Sequence, residues 1–383
     1  MTRAHDWILA AFANAAVVAV VALAGRSPAP VPSAADSAPS PRASGPLEAR
    51  LEAARAAHGM PALAGAVIRS RSVELAAVGV TRIDKPERVT MNDRFGLGSN
   101  AKAITATAAG SLVQEGRLKW DVTLAEALPG VEMAPAYRTV TLRMLLTHRA
   151  GLPPFTSDAD FASARAYPGT GREAREKFLP VLLGKPPAAP PGTQTRYSNA
   201  DFIVAAAILE RAGGASWREL VIKRVFTPLS ITGAFRGTPP PKPDEIRPWG
   251  HKFVDGKLVP SDPAAPAPAL FEGAGGISMS IADYAVFLQA HLRGLRGEDG
   301  FLKAATVRAI HTPEGRYALG WGIQDFAGAP SSLHAGGNGE YYALVAIQPS
   351  RDLAVALLTN DGRDETEDWC AALLKGLIAA DAP

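Results

Sequence analysis

The spacing of apolar and polar positions changes several times along the chain. Residues 47–59 (LEARLEAARAAHG) carry apolar side chains at helical spacing and end on glycine, which predicts a helix with a glycine C-cap. Residues 62–70 (ALAGAVIRS) and 72–80 (SVELAAVGV) have strand composition around a short polar turn, so an antiparallel pair is expected. The stretch 95–118 (FGLGSNAKAITATAAGSLVQEGRL) then predicts a helix reaching about Glu115. Residues 120–270 differ, with sparse strand signals. They hold a helix-like run stopped by glycine and prolines (TLRMLLTHRAGLPPF), a second helix (ADFIVAAAILERAGG) and a Pro-rich passage (TPPPKPDEIRPWGHKF). This reads as a helical and loop region laid over a site. A helix follows in GGISMSIADYAVFLQAHLRG, with Ser280 and Asp283 spaced as in a capping box. Strands return in YALGWGIQDF, EYYALVAIQPS and LAVALLTND, before a last helix from about Thr366 to Ala379. The order implies an α+β fold. Both ends of the chain (47–119 and 271–383) build an antiparallel sheet flanked by helices, with the mostly helical region 120–270 inserted.

The N-terminus adds an export expectation. Arg3 precedes an uncharged apolar run from Trp7 to Gly25, with a small-x-small site at Ala22-Leu23-Ala24. Residues 1–25 are therefore expected to be a signal peptide or an uncleaved membrane anchor, with the body of the protein periplasmic or extracellular. Contact with a membrane is expected only if the segment stays uncleaved. Residues 26–46, rich in Pro, Ala and Ser, read as a linker, and the folded part begins near Leu47.

Composition narrows the chemistry. Apolar residues make up 47% of the 383 residues and charged ones 20%, which is enough for a sizeable core. The net charge is only +3 and the basic residues are scattered, so nucleic acid is not an expected partner. Cys370 is the one cysteine, which excludes an intrachain disulfide and a cysteine zinc cage; it reads as core packing. The seven histidines show no H-E-x-x-H or close pairing, so neither a metal nor a cofactor is expected.

The serine stretch supports three readings. Residues 96–101 fit G-x-G-x-x-A, but the following KWDVTLAEALPG is not the buried parallel strand a dinucleotide fingerprint needs. A capping serine followed by a solvated lysine is the bland reading. The third is a nucleophile mount. Ser99 and Lys102 share one helical face, Ser99 sits at the positive end of the helix dipole, and a lysine of lowered pKa can take a serine proton. Tyr197 offers a second proton carrier, and Asn199 an amide for a substrate carbonyl. The glycines after His334 and Ala335 let backbone approach a ligand closely. His148 and Arg149 are assigned to the end of a helix.

These motifs in order, S-x-x-K, then Y-x-N, then H-A-G, resemble the serine β-lactamase and penicillin-recognising enzyme superfamily. The likeness is to its class C-like branch of β-lactamases, D-Ala-D-Ala carboxypeptidases, D-aminopeptidases and esterases. VTLRMLLTHRAGLP, PPGTQTRYSNADF, GAGGISMSIADYAVFL and LHAGGNGEYYALVAIQPSRDLAVALLTND extend it over most of residues 47–375. The resemblance implies a β-lactamase-like fold. It makes Ser99 the acylated nucleophile and gives the general-base work to Lys102 and Tyr197. Asn199, His334, Ala335 and Gly336 would bind substrate, and the N–H groups of Ser99 and Gly337 would form the oxyanion hole. The partner is then a small acyl substrate (an ester, D-amino amide or β-lactam), with a peptidoglycan fragment as a further candidate.

The chain departs from that pattern at three positions. His334 stands where many members have lysine, so a pH dependence near the ordinary histidine range is expected. Ala335 lacks a hydroxyl that in many relatives grips a substrate carboxylate. Phe155 replaces a glutamine common in class C β-lactamases. Together these favour an esterase or general hydrolase over a peptidase, and a peptidase over an efficient β-lactamase. A non-catalytic binding protein on the same fold is the alternative from another class.

Overall fold

The computed structural model describes residues 45–235, 248–262 and 268–381. The expected leader or anchor, nearly all of the linker and most of the Pro-rich passage lie outside the described residues. The strands are β1 (Ala62–Ile68), β2 (Val73–Gly79), β3 (Arg94–Gly96), β4 (Ala234–Phe235), β5 (His251–Val254), β6 (Lys257–Pro260), β7 (Ile277–Ser280), β8 (Gly322–Phe326), β9 (Ala329–Gly337), β10 (Tyr342–Gln348) and β11 (Leu353–Thr359). Six of them form one antiparallel sheet in the order β2-β1-β11-β10-β9-β8, so the two ends of the chain do meet in it. A smaller sheet runs β3-β7-β4, and β5 and β6 make a hairpin.

The main sheet is covered on both faces, which is why β10 and β11 read as continuous apolar runs. On one face lie α1 (Pro46–His58) and the C-terminal helix, whose apolar residues meet Leu333, Leu344, Val355 and Leu357. Gly59 closes α1 in the left-handed conformation, φ 60°, as its sequence predicts. On the other face lies the helix Ile281–Leu295, packed on β1, β10 and β11, and α2 (Ala101–Gln114) shares the core on that side. Its Ala-rich sequence favours helix, and its small side chains let neighbours approach closely. A Cβ on Gly110 would sit 2.8 Å from Cδ1 of Ile310.

The inserted region supplies α3 (Leu142–Leu146), α4 (Gly171–Leu183) and α5 (Asn199–Gly213). Ser198 caps α5 by accepting the N–H of Asp201, and Gly214 ends it at φ 70°. The short α6 (Glu272–Gly275) leads back to the sheet, followed by α7 (Ile281–Leu295), α8 (Ala304–His311) and α9 (Thr366–Ala380). The region is less purely helical than expected, since it also holds β4 and the β5–β6 hairpin. Ser280 caps α7 by accepting the Asp283 N–H, but the box is not closed: the Asp283 carboxylate accepts from Thr232 at 2.8 Å instead.

Candidate active site

Ser99 sits in a single 3-10 turn, Gly98–Asn100, wedged between β3 and α2. Gly98 has φ +49°, and a Cβ there would come within 2.9 Å of the Gly337 nitrogen. Only glycine satisfies both demands at no steric cost, and the result is close contact between the serine turn and the end of β9. Lys102 is one turn further along, on the same face, and fully buried.

The side chains expected to act together do converge. The Tyr197 hydroxyl donates to Ser99 Oγ at 2.6 Å, and Lys102 Nζ lies 3.1 Å from the same oxygen. Lys102 Nζ also donates to Asn199 Oδ1 and to the Ala274 carbonyl, both at 2.8 Å. Those two partners can only accept. A neutral amine has two hydrogens, so both are spent on these oxygens and its lone pair is left for the Ser99 hydroxyl. Burial lowers the Lys102 pKa well below the ordinary lysine range, with Asp201 acting in the opposite sense. Burial raises that of Tyr197, only partly offset by its bond to Ser99. One consistent set of hydrogens follows: Tyr197 donates to Ser99, Ser99 to Lys102, and Lys102 to Asn199 and Ala274.

Gly98, Ser99, Asn199 and Gly337 line one cleft of about 360 Å³. Phe161 and Phe271 form an aromatic wall, stacked at 4.3 Å between centroids, with Phe155 behind at 5.2 Å from Phe271. Glu340, Asp361 and Arg363 also line the cleft. Arg363 pairs with Asp361, and Lys252 with Glu340 at 3.4 Å.

Other candidate residues are placed differently from expectation. His334 is on β9 itself, 1% exposed, and its Nδ1 donates to the Gly320 carbonyl at 2.6 Å. Ala335 points the other way. Strand alternation puts it in the apolar layer beneath α1 and α9, so the expected substrate contact of its side chain is corrected. Gly336 faces the serine turn: a Cβ there would lie 2.6 Å from the Ser99 nitrogen. Asn199 turns its oxygen to Lys102 and gives one N–H to the Phe155 carbonyl at 3.1 Å, so it holds the lysine as much as it faces the cleft. Phe155 itself sits at φ 53°, an uncommon conformation for an aromatic residue, which aims that carbonyl at Asn199. His148 does follow a helix end, but its ring is buried against Tyr197. Among the described residues no group of three or more His, Cys, Asp and Glu could hold a metal ion.

A serine between a buried lysine and a tyrosine, at the edge of an antiparallel sheet, defines an acyl-transferring hydrolase site. The family profile described as "Beta-lactamase" matches residues 47–376. The chain is 28% identical over 335 residues to "Penicillin-binding protein 4" of Amycolatopsis lactamdurans, covering 82% of this chain and 84% of that protein. It is 29% identical over 239 residues to "Lovastatin esterase" of Penicillium rubens, covering 55% and 57% of the two chains. Among solved structures, that of SurE superposes with a TM-score of 0.74 at 25% identity, covering 88% of this chain and 76% of that one. The chain belongs to the beta-lactamase family and is a serine hydrolase.

Proposed function

We propose that the protein is an esterase-type hydrolase that cleaves carboxylic esters, and amides more slowly, through an acyl-enzyme on Ser99. One observation carries this reading: Ser99 Oγ lies between the Tyr197 hydroxyl at 2.6 Å and the Lys102 amine at 3.1 Å. Lys102 takes the Ser99 proton as Oγ attacks the carbonyl carbon. The N–H groups of Ser99 and Gly337 receive the developing oxyanion. Tyr197, protonated in the resting enzyme, gives its proton to the leaving group and is reprotonated from Lys102. Water then enters, and the same groups return Ser99 to its resting state.

The wall of the cleft supports an apolar acyl group, since Phe161 and Phe271 offer it a flat surface. The paired state of Arg363 and Lys252 weighs against a substrate with a free terminal carboxylate. This puts an ester or D-amino amide ahead of a D-Ala-D-Ala peptide or a peptidoglycan fragment, and a β-lactam last. The apolar run at 7–25 supports export to the periplasm or beyond, where such substrates would be met.

The test is a substrate panel with the purified protein: p-nitrophenyl esters of increasing chain length, D-amino acid p-nitroanilides and a chromogenic cephalosporin. The expected order of kcat/KM is ester, then amide, then cephalosporin, with a gain on lengthening the acyl chain. A cephalosporin turned over faster than every ester would refute the proposal.

A further inference from the structure

Behind Tyr197 lies a second buried pair that does not touch Ser99. His148 follows α3 with φ 57°, a costly conformation for a residue with a side chain. Its own N–H donates to the Leu145 carbonyl at 3.1 Å and its carbonyl accepts the Arg196 N–H at 2.7 Å, which hold it there. The imidazole is thereby turned inward, 4.5 Å between centroids from Tyr197, 4.7 Å from Tyr317 and 5.3 Å from Phe202. Its Nδ1 is 2.8 Å from Oδ2 of Asp201.

The hydrogen in that contact can be located. Asp201 is the third residue of α5, where a capping box would have its carboxylate accept the Ser198 N–H. Half of the box is present, since Ser198 Oγ accepts the Asp201 N–H at 3.3 Å. The reciprocal bond is replaced: the Ser198 N–H points at His148 Nδ1, 3.2 Å away. A backbone N–H can only donate. A protonated Nδ1 would set two N–H groups against each other, so Nδ1 is the acceptor. The 2.8 Å contact with Asp201 then needs its hydrogen on Oδ2, and the single Nδ1 lone pair is shared between that O–H and the Ser198 N–H.

We infer that Asp201 is held as a neutral carboxylic acid, donating from Oδ2 to His148 Nδ1, and that this pair keeps Lys102 a free amine. The inference rests on the reading of Lys102 as the base. Burial raises the Asp201 pKa well above the carboxylate range, against the pull of Lys102. An ionised Asp201 would favour the ammonium form of Lys102 and spoil the base. The other titratable groups facing the pair are Tyr197, Tyr137 and Tyr317. Burial pushes each of them up, Tyr137 to about 12, so none adds a competing negative charge at neutral pH. Asp201 and His148 touch no reacting atom, so they are positioning residues.

Infrared spectra of the resting enzyme at neutral pH, wild type minus Asp201→Asn, report the acid without any substrate. A carboxylic-acid C=O band present in the wild type and lost in the variant is expected. In His148→Phe, which keeps a ring against Tyr197, that band is expected at higher frequency because its O–H has lost the acceptor. An amide is neutral like the acid, so Asp201→Asn is also expected to keep the acid limb of kcat/KM against pH in place. Absence of the band overturns the inference. So does a limb that moves down by about one unit in Asp201→Asn, the mark of a carboxylate that had held Lys102 charged. Failure of the base reading would show separately, as ester hydrolysis surviving Lys102→Met, while the infrared result still decides the state of Asp201.

Discussion

Gly336 packs so closely on the serine turn that a methyl group there would lie 2.2 Å from the Leu97 carbonyl oxygen and 2.6 Å from the Ser99 nitrogen. Neither neighbour is a flexible side-chain end, so the strand must move away from the turn. Gly336→Ala is expected to widen the gap between the Ser99 and Gly337 N–H groups. A loss of about 100-fold in kcat follows, the scale of losing one oxyanion donor. Steady-state kinetics with a p-nitrophenyl ester, beside a circular dichroism spectrum matching the wild type, check this.

The pH profile has a definite sign. Lys102 must be a free amine to take a proton, and burial lowers its pKa. kcat/KM should therefore rise through an acid limb well below the ordinary lysine range, about 10.4. Tyr197 is raised, so its ionisation gives no limb near neutrality. Initial rates across a buffer series locate the limb, and Lys102→Arg should abolish the plateau, since a guanidinium does not deprotonate.

Lys102→Met should inactivate the enzyme and stabilise the fold. With its pKa lowered on folding, Lys102 binds less proton in the folded state than in the unfolded one. Stability thus rises with pH from the folded pKa up to the unfolded value of 10.5; within that window the fold bears the cost of neutralising the amine, and below it the larger cost of burying the charge. A buried thioether bears no such cost. A gain of about 0.5–2 kcal/mol near neutral pH is expected from urea denaturation.

Much of this arrangement is legible in the sequence, and what is not has physical reasons. α1, β1, β2, β10, β11 and α9 follow apolar periodicity because each contributes apolar side chains to a layer against the sheet. β9 does not, although it carries His334. Pro330, Ser331, Ser332 and two glycines hide it, because its burial comes from lying between β8 and β10 and against the serine turn. Once it is a strand, simple alternation sends Ala335 away from the cleft. The convergence of Ser99, Lys102 and Tyr197 is readable only through motif order, since 98 positions separate Ser99 from Tyr197. The role of His148 is not readable, because a positive φ at one residue decides where its ring goes. The β5–β6 hairpin is amphipathic only weakly, with Phe253 and Val259 exposed, so its pattern carries little signal.

A buried ion network braces the lysine from behind. Arg175 holds Glu210 at 2.6 and 3.1 Å, and Arg218 holds Glu272 at 2.6 Å, with Arg175 also 3.7 Å from Glu272. Glu272 opens α6, whose Ala274 carbonyl accepts from Lys102. Arg175→Ala would leave Glu210 buried with its guanidinium partner removed. A loss of about 3–5 kcal/mol is expected from chemical unfolding. Activity measured below the new transition should also fall, because Ala274 is no longer held in place.

The central claim is that Ser99 carries the acyl group. Intact-mass spectrometry of the wild type quenched in acid within its first turnovers of p-nitrophenyl acetate tests it most directly, with peptide mapping of the labelled protein and Ser99→Ala in parallel. One acetyl group per chain is expected, mapped to the peptide holding Ser99, with neither label nor turnover in the variant. A label on another residue, or unchanged hydrolysis by Ser99→Ala, would contradict it.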